Sequence, residues 1–437
     1  MAGNHDVLAG TPLEQRGLPL VLRRFLRTEA AGGLVLLAAT VVALGWANSP
    51  WDGSYTRLWA TPVDLRVGTV GFSNDLRHFV NEGLMTLFFL VIGLEIKREL
   101  VTGELRSWRT AALPGLAAVG GMALPAAIYL ALTLGHPGTR GWGIPMATDI
   151  AFALGVVALL GPRVPSPLRL FLLTLAVVDD IGAIVVIAVF YSSGIDLLPL
   201  ALGAGLIVVM AGLRRLGILW MPLHALIGLG VWLATYKSGV HATLAGVALG
   251  LLAPGRPLVA GAVAREWAED LSDEPVPDEL RAMTRLANSS MSLAERLEHD
   301  LHPIASFVVI PLFALANAGV VLEGSALPAP GGTRVVLGIV LGLVVGKTVG
   351  ITATSWMAVR AHVAVLPSGV SWRQLAGIAA AAGVGFTVSL FVAGLAFSEP
   401  SLESAAKIGI LLASVLASVL GLLALATAAR AARPEGG

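Results

Sequence analysis

Two adjacent aspartates, Asp179 and Asp180, sit in the middle of an apolar stretch, between Leu-Thr-Leu-Ala-Val-Val and Ile-Gly-Ala-Ile-Val-Val. Asp149 and Lys347 lie comparably deep in other apolar runs. An ionisable side chain at the centre of a membrane helix costs at least ~3 kcal/mol, so four facing lipid would cost on the order of 10 kcal/mol. They must instead face the interior of a bundle or a water-filled cavity, and pair. Consecutive residues on a helix point about 100° apart. One carboxylate of the Asp-Asp pair is therefore expected to meet a cation, and the other a neighbour such as Lys347. Two adjoining carboxylates in a low dielectric resist ionising together. A site of this kind holds either a proton or a metal cation near neutral pH, which is the chemistry of exchange. The competing reading is a structural ion pair to Lys347 without transport.

Other segments must position these groups. Asp149 lies in Gly143-Ile-Pro-Met-Ala-Thr-Asp-Ile-Ala-Phe-Ala-Leu-Gly155, where Pro145 and small residues permit an unwound stretch inside a span. Ala379-Ala-Ala-Ala-Gly-Val-Gly-Phe-Thr387 is a second such stretch. Paired interrupted spans in corresponding halves of a chain point to a transporter's binding site. The ends of broken helices carry partial charge. Asp149 is suited to offset exposed N-termini and Lys347 exposed C-termini.

The whole composition agrees. Hydrophobic residues make up 56% of the 437-residue chain and charged residues only 13%, with mean hydropathy +0.81. Soluble domains carry roughly 25% charge, so this chain lacks the charge for a water-soluble surface. A span needs ~20 mostly apolar residues. On that basis the expected fold is an all-α polytopic membrane protein with twelve spans, at about 28–47, 77–97, 108–133, 142–160, 168–192, 196–213, 218–236, 240–253, 303–321, 333–358, 373–397 and 404–428. Spans three to five and ten to twelve form candidate inverted repeats, each with a broken, crossing middle member. Residues 28–428 are read as a single transporter domain, 1–27 as a cytoplasmic N-terminal segment and 429–437 as a cytoplasmic tail.

Lys and Arg fix the expected orientation. With both termini in the cytoplasm, 21 of the 29 fall inside, 7 outside, and Lys347 within a span. The N-terminal run to Trp46 does not read as a cleaved signal. Net charge of +1 gives no case for nucleic acid, and the absence of cysteine excludes disulfide, thiol and cysteine-zinc chemistry. The outer loop 48–76 contains the alternation Val63, Leu65, Val67, a strand signal. A hairpin at 61–72 would offer an edge to a second copy of the chain. The inner loop 254–302 carries ten Asp and Glu against five Arg and reads as solvated and partly disordered.

At these residues the chain resembles the bacterial NhaA-type sodium/proton antiporters. The likeness extends over about residues 20–425. It rests on Phe88-Phe-Leu-Val-Ile-Gly-Leu-Glu-Ile-Lys-Arg-Glu-Leu100, Ala147-Thr-Asp-Ile-Ala-Phe-Ala-Leu-Gly155, Val178-Asp-Asp-Ile-Gly-Ala183 and Ser238-Gly-Val-His-Ala-Thr-Leu-Ala-Gly246. Arg296-Leu-Glu-His-Asp-Leu-His-Pro303, Pro311-Leu-Phe-Ala-Leu-Ala-Asn-Ala-Gly319 and Gly346-Lys347 add to it. The resemblance implies that Asp180 is the main ligand for Na⁺ or Li⁺. Asp179 would be the proton carrier or the partner of Lys347, with Thr148 and Asp149 supporting the site. It implies electrogenic exchange of Na⁺ for H⁺ across the inner membrane, no cofactor and no enzymatic reaction. It also implies a homodimer joined through the hairpin, and activation by alkaline pH. Glu95, Glu99, Glu298, His299 and His302 match the pH-responsive positions on the cytoplasmic side, with His241 elsewhere. Rival classes fit less well. An intramembrane aspartyl protease places its two Asp residues on separate helices and lacks its Gly-x-Gly-Asp signature here. An organic-anion symporter would need a deep basic cluster beyond Lys347, and a passive channel needs no deep binding site.

Overall fold

In lipid the backbone must satisfy its own hydrogen bonds, so apolar stretches of spanning length fold as helices. A computed structural model describes residues 29–67, 70–192, 194–218, 220–257, 290–321 and 330–431. The N-terminal segment 1–27, residues 258–289 of the acidic loop and the end of the tail lie outside the described residues. In chain order the helices are α1 (Glu29–Ala47), α2 (Asp52–Trp59), α3 (Leu76–Val101), α4 (Trp108–Thr133), a 3₁₀ helix (Thr139–Met146) and α5 (Ile150–Ala158). Then come α6 (Ser166–Tyr191), α7 (Leu197–Arg215), α8 (Met221–Lys237), α9 (Thr243–Leu252), α10 (Leu293–Asn317), α11 (Gly332–Arg360), α12 (Trp372–Ala381), α13 (Phe386–Ala396) and α14 (Pro400–Ala431).

Among the described residues seven helices are long and apolar enough to cross a membrane, or up to ten if each bent pair is one span. The bent pairs are α1 with α2, at 116°, the 3₁₀ helix with α5, at 41°, and α12 with α13, at 47°. α8 and α9 have 17 and 10 residues, about 25 and 15 Å of rise against a ~30 Å hydrocarbon core. Large apolar side chains point outward, such as Val208 at 70% and Val415 at 64% exposure, as expected of a surface solvated by lipid. Helices differ in depth. Half or more of the apolar window of α6 and of α11 is buried, but only 11% of that of α7, which places α7 at the periphery.

Two local readings change. The acidic inner loop was expected to run to 302, but α10 already starts at Leu293. A capping box starts it there: the Ser292 side chain accepts from Glu295 N, and the Glu295 side chain accepts from Ser292 N. Hydropathy alone marks only the apolar part of that helix and so places its start too late. The outer loop contains α2 as well as the expected hairpin. The hairpin strands are β1 (Pro62–Val67) and β2 (Val70–Asp75), antiparallel, with Pro62 opposite Asp75 and Val67 opposite Val70. The second strand thus ends three residues beyond the expected 72.

The core helices meet closely where side chains are absent. A Cβ on Gly350 of α11 would collide with the carbonyl of Gly120 on α4, and one on Gly120 would collide with Thr354 and the Gly350 carbonyl. Glycine at both positions lets the two backbones touch, and this brings Lys347, one turn earlier on α11, into the bundle. Four helices carry one π turn: Val80–Leu84 in α3, Ile187–Tyr191 in α6, Ala305–Val309 in α10 and Gly342–Gly346 in α11. Such turns occur often at functional sites, and the last one immediately precedes Lys347.

Candidate cation-binding site

The site forms where the two breaks meet. Residues Ala147–Asp149 interrupt one bent pair and Ala382–Gly385 the other. At each break, backbone N–H and C=O groups lose their helical partners, and each chain supplies what the other lacks. Asp149 N donates to the Val384 carbonyl at 2.7 Å. Ser389 Oγ donates to the Ile144 carbonyl at 2.7 Å.

Asp149 caps two helices at once. Its Oδ1 accepts from Phe152 N at 3.0 Å, in the first turn of α5. Its Oδ2 accepts from Thr387 N at 3.0 Å and from Thr387 Oγ1 at 2.7 Å, in the first turn of α13. A buried carboxylate is thereby satisfied by the two helix N-termini that carry partial positive charge. This is the role the sequence assigns to Asp149. Lys347 meets one expectation, pairing with an aspartate of the Asp-Asp pair, and departs from the other. It bonds no carbonyl at the helix C-termini; its Nζ donates to Asp179 Oδ2 and, at 2.9 Å, to Thr148 Oγ1. A neutral hydroxyl reaches the open carbonyl instead, since Thr148 Oγ1 lies 2.9 Å from the Ala382 oxygen. The physical reason is that a buried ammonium gains more from a carboxylate than from a carbonyl.

Thr148 is the junction. Its hydroxyl accepts from Lys347 and lies 2.8 Å from Asp179 Oδ2 as well as 2.9 Å from the Ala382 carbonyl. One proton serves only one of these two acceptors at a time. Asp179 and Lys347 are both 0% exposed. Asp179 Oδ1 is buried without a partner. Asp180 is 4% exposed, and its carboxylate makes no hydrogen bond or ion pair with any described residue. Adjacent aspartates have thus been separated in role by helix geometry: Asp179 is held and Asp180 is left open. Thr148, Asp179 and Lys347 are hydrogen-bonded into one cluster; Asp149 is held separately by Phe152 and Thr387, and Asp180 adjoins Asp179 in the chain.

The residues matched to pH response divide into two places. Arg98 gathers three carboxylates: Glu298, Glu99 at 3.4 Å and Glu95 at 4.0 Å. Glu99 also accepts from Glu104 N at 3.1 Å. His299 and His302 lie on α10 near Glu298, both exposed. His241 is at the other end of the bundle. Its Nδ1 is 3.3 Å from Glu82 Oε1 and its Nε2 3.2 Å from the Tyr191 carbonyl. Glu82 and Glu95 stand thirteen residues apart on α3, about 20 Å. His241 lines a cavity of about 270 Å³ together with Glu82, Asn81, Tyr191, Arg140 and Asn317.

Several polar side chains escape the sequence reading. Thr387 and Ser389 lie in or just beyond a stretch marked as unwound, yet hydroxyls are ordinary in apolar helices and carry no signal by type. Asn81 and Asn317 exchange amide hydrogen bonds at 3.2 and 2.7 Å across α3 and α10. Their 236-residue separation hides the pairing.

Apolar helices around a buried ionic cluster, with two bent helix pairs meeting beside it, are the make-up of a multi-pass membrane protein. The sequence family described as "Na+/H+ antiporter 1" matches residues 23–425. The "Na(+)/H(+) antiporter NhaA 3" of Frankia alni is 47% identical over 402 residues, covering 92% of this chain and 87% of that protein. The "Na(+)/H(+) antiporter NhaA 2" of Acidiphilium cryptum is 47% identical over 412 residues, covering 91% and 90%. A solved sodium proton antiporter, MjNhaP1 from Methanocaldococcus jannaschii, shares 14% identity over 92% of each chain, with a TM-score of 0.47. The chain belongs to the Na⁺/H⁺ antiporter 1 family, and it is a multi-pass membrane transporter, not an enzyme.

Proposed function

We propose that this protein exports Na⁺ or Li⁺ across the bacterial inner membrane in exchange for protons, by alternating access at Asp179 and Asp180. Its relatives' names support Na⁺ and H⁺ as the exchanged ions. The observation that carries the mechanism is the division of the aspartate pair. Asp179 is bonded to Lys347 and Thr148, whereas Asp180 has no partner among the described residues. Asp180 is then the carboxylate free to take a cation, and Asp179 the one whose proton or ion pair answers it. Among the described residues no three His, Cys, Asp or Glu converge as a metal site. A bound Na⁺ therefore completes its shell with hydroxyl, carbonyl and water oxygens, as suits a hard cation that must also leave.

The cycle runs as follows. With the site open to the cytoplasm, the aspartates release protons and Asp180 binds Na⁺. The loaded site turns outward, Na⁺ leaves, and protons return. If more than one proton enters per Na⁺, net charge moves inward, and the membrane potential contributes about 2.3 kcal/mol per charge per 100 mV. The bent pairs that meet at Asp149 are read as discontinuous crossing spans. With α8 and α9 also crossing, the bundle has twelve spans and both ends in the cytoplasm, which the Lys and Arg distribution supports. The Arg98 cluster with His299 and His302 on one side, and His241 on the other, supplies groups for pH regulation. The hairpin supplies an edge for a homodimer.

The test is Na⁺-dependent dissipation of ΔpH in everted vesicles. Asp180→Asn is expected to abolish it while the protein still reaches the membrane. Normal exchange by that variant sinks the assignment.

A further inference from the structure

Tyr191 ends α6 in a π turn, about 16 Å along the helix from Asp180, and is 2% exposed. Its phenol oxygen accepts from Gly143 N at 3.1 Å and donates to the Arg140 carbonyl at 2.8 Å. Both partners belong to the 3₁₀ helix Thr139–Met146, which runs directly into Thr148 and Asp149. The helix carrying the two aspartates is thus tied to its broken neighbour at two levels. One tie is Thr148 to Asp179 in the middle. The other is Tyr191 at the outer end. The carbonyl of Tyr191 in turn meets His241.

The contact is built for a phenol and for a glycine. A Cβ on Gly143 would stand 2.8 Å from the Tyr191 oxygen and 3.1 Å from its ring. Phenylalanine would fill nearly the same apolar space as tyrosine, but it would leave the Gly143 N–H and the Arg140 carbonyl without that partner. In an apolar interior such groups are expensive to leave unpaired.

We infer that Tyr191 is a positioning residue for transport: it clamps the 3₁₀ helix Thr139–Met146 to α6, so that Thr148 and Asp149 keep their place beside Asp179 and Asp180 as the site changes sides. This rests on the Asp180 site proposed above. The clamp does not touch the cation. It sets the spacing of the groups that do.

The experiment measures apparent KM for Na⁺, maximal rate and membrane level of purified variants in proteoliposomes. Tyr191→Phe is expected to raise the KM about fivefold, the worth of one ordinary hydrogen bond, with maximal rate and membrane level little changed. Gly143→Ala, which pushes the ring away, is expected to act in the same direction. The double variant should fall short of the sum of the two single effects, because Phe removes the oxygen that the new Cβ strikes hardest. An unchanged Na⁺ KM in Tyr191→Phe, whatever its melting temperature, overturns the clamp, and so do fully additive effects. If Tyr191→Phe does not reach the membrane, Gly143→Ala alone decides by the same reading. Asp180→Asn is run in parallel. If it is inactive while Tyr191→Phe keeps its KM, the clamp is wrong and the site stands. If Asp180→Asn exchanges normally, the site reading falls and the clamp falls with it.

Discussion

Lys347 and Asp179 form an ion pair with no access to solvent. Removing one member of a buried pair leaves an uncompensated charge, which costs about 3–5 kcal/mol. Lys347→Ala is therefore expected to lower the melting temperature of the detergent-solubilised protein markedly. Lys347→Ala combined with Asp179→Asn should recover part of the loss, because the stranded carboxylate is then neutral. A single variant that melts with the wild type would show that the pair is not formed. Asp149 differs, because its oxygens answer N–H and O–H donors and no cation. Losing a helix cap costs about 0.5–2 kcal/mol, and Asp149 caps two. Asp149→Ala should accordingly destabilise as well as slow exchange, whereas Asp149→Asn, which keeps one of the two acceptor oxygens, should be milder in thermal melts.

At the scale of elements, the meeting of the two bent helix pairs depends on hydroxyls bridging one to the other. Thr387→Val removes the 2.7 Å bond to Asp149 at nearly constant shape, and Thr387→Ser keeps it. Valine is expected to raise the apparent KM for Na⁺ and serine to restore it. Equal kinetics for the two variants would show that this hydroxyl does not matter. The α4–α11 contact obeys steric rather than polar logic. Gly120→Ala or Gly350→Ala forces two backbones apart and so draws Lys347 away from Asp179. Lower melting temperature and weaker Na⁺ affinity should appear together. The breaks themselves were legible from Pro145 and the Gly383-Val-Gly385 run, because those residues weaken a helix wherever they fall. Which carbonyl each buried hydroxyl would find was not legible, because Thr148 and Ala382 are 234 residues apart.

At the scale of the whole molecule, orientation and assembly are the open quantities. The absence of cysteine makes single introduced cysteines clean reporters of sidedness. With both termini cytoplasmic, Thr61→Cys should react with an impermeant thiol reagent added outside intact cells. Ser107→Cys should react only in everted vesicles. Labelling of both from one side would refute the alternating spans. Deleting the hairpin 62–75 should shift the protein from dimer to monomer in native mass measurements while leaving exchange by the monomer measurable, since the site lies wholly within one chain.

Composition and residue type alone determined that this is a helical membrane protein with costly charges at bilayer depth. An apolar environment imposes the same backbone solution and the same penalty wherever such residues stand. The bends, the strand alternation in the outer loop and the burial of Asp149, Asp179, Asp180 and Lys347 followed from the same local rules. The tertiary structure decided the partners. It gave Lys347 to Asp179 and Thr148, left Asp180 without a hydrogen bond or ion pair among the described residues, placed both helix N-termini on Asp149, and joined Tyr191 to a helix some fifty residues earlier. Those choices arise from how helices cross in three dimensions, and a hydrogen bond between distant segments leaves no periodicity, spacing or composition by which the chain could announce it.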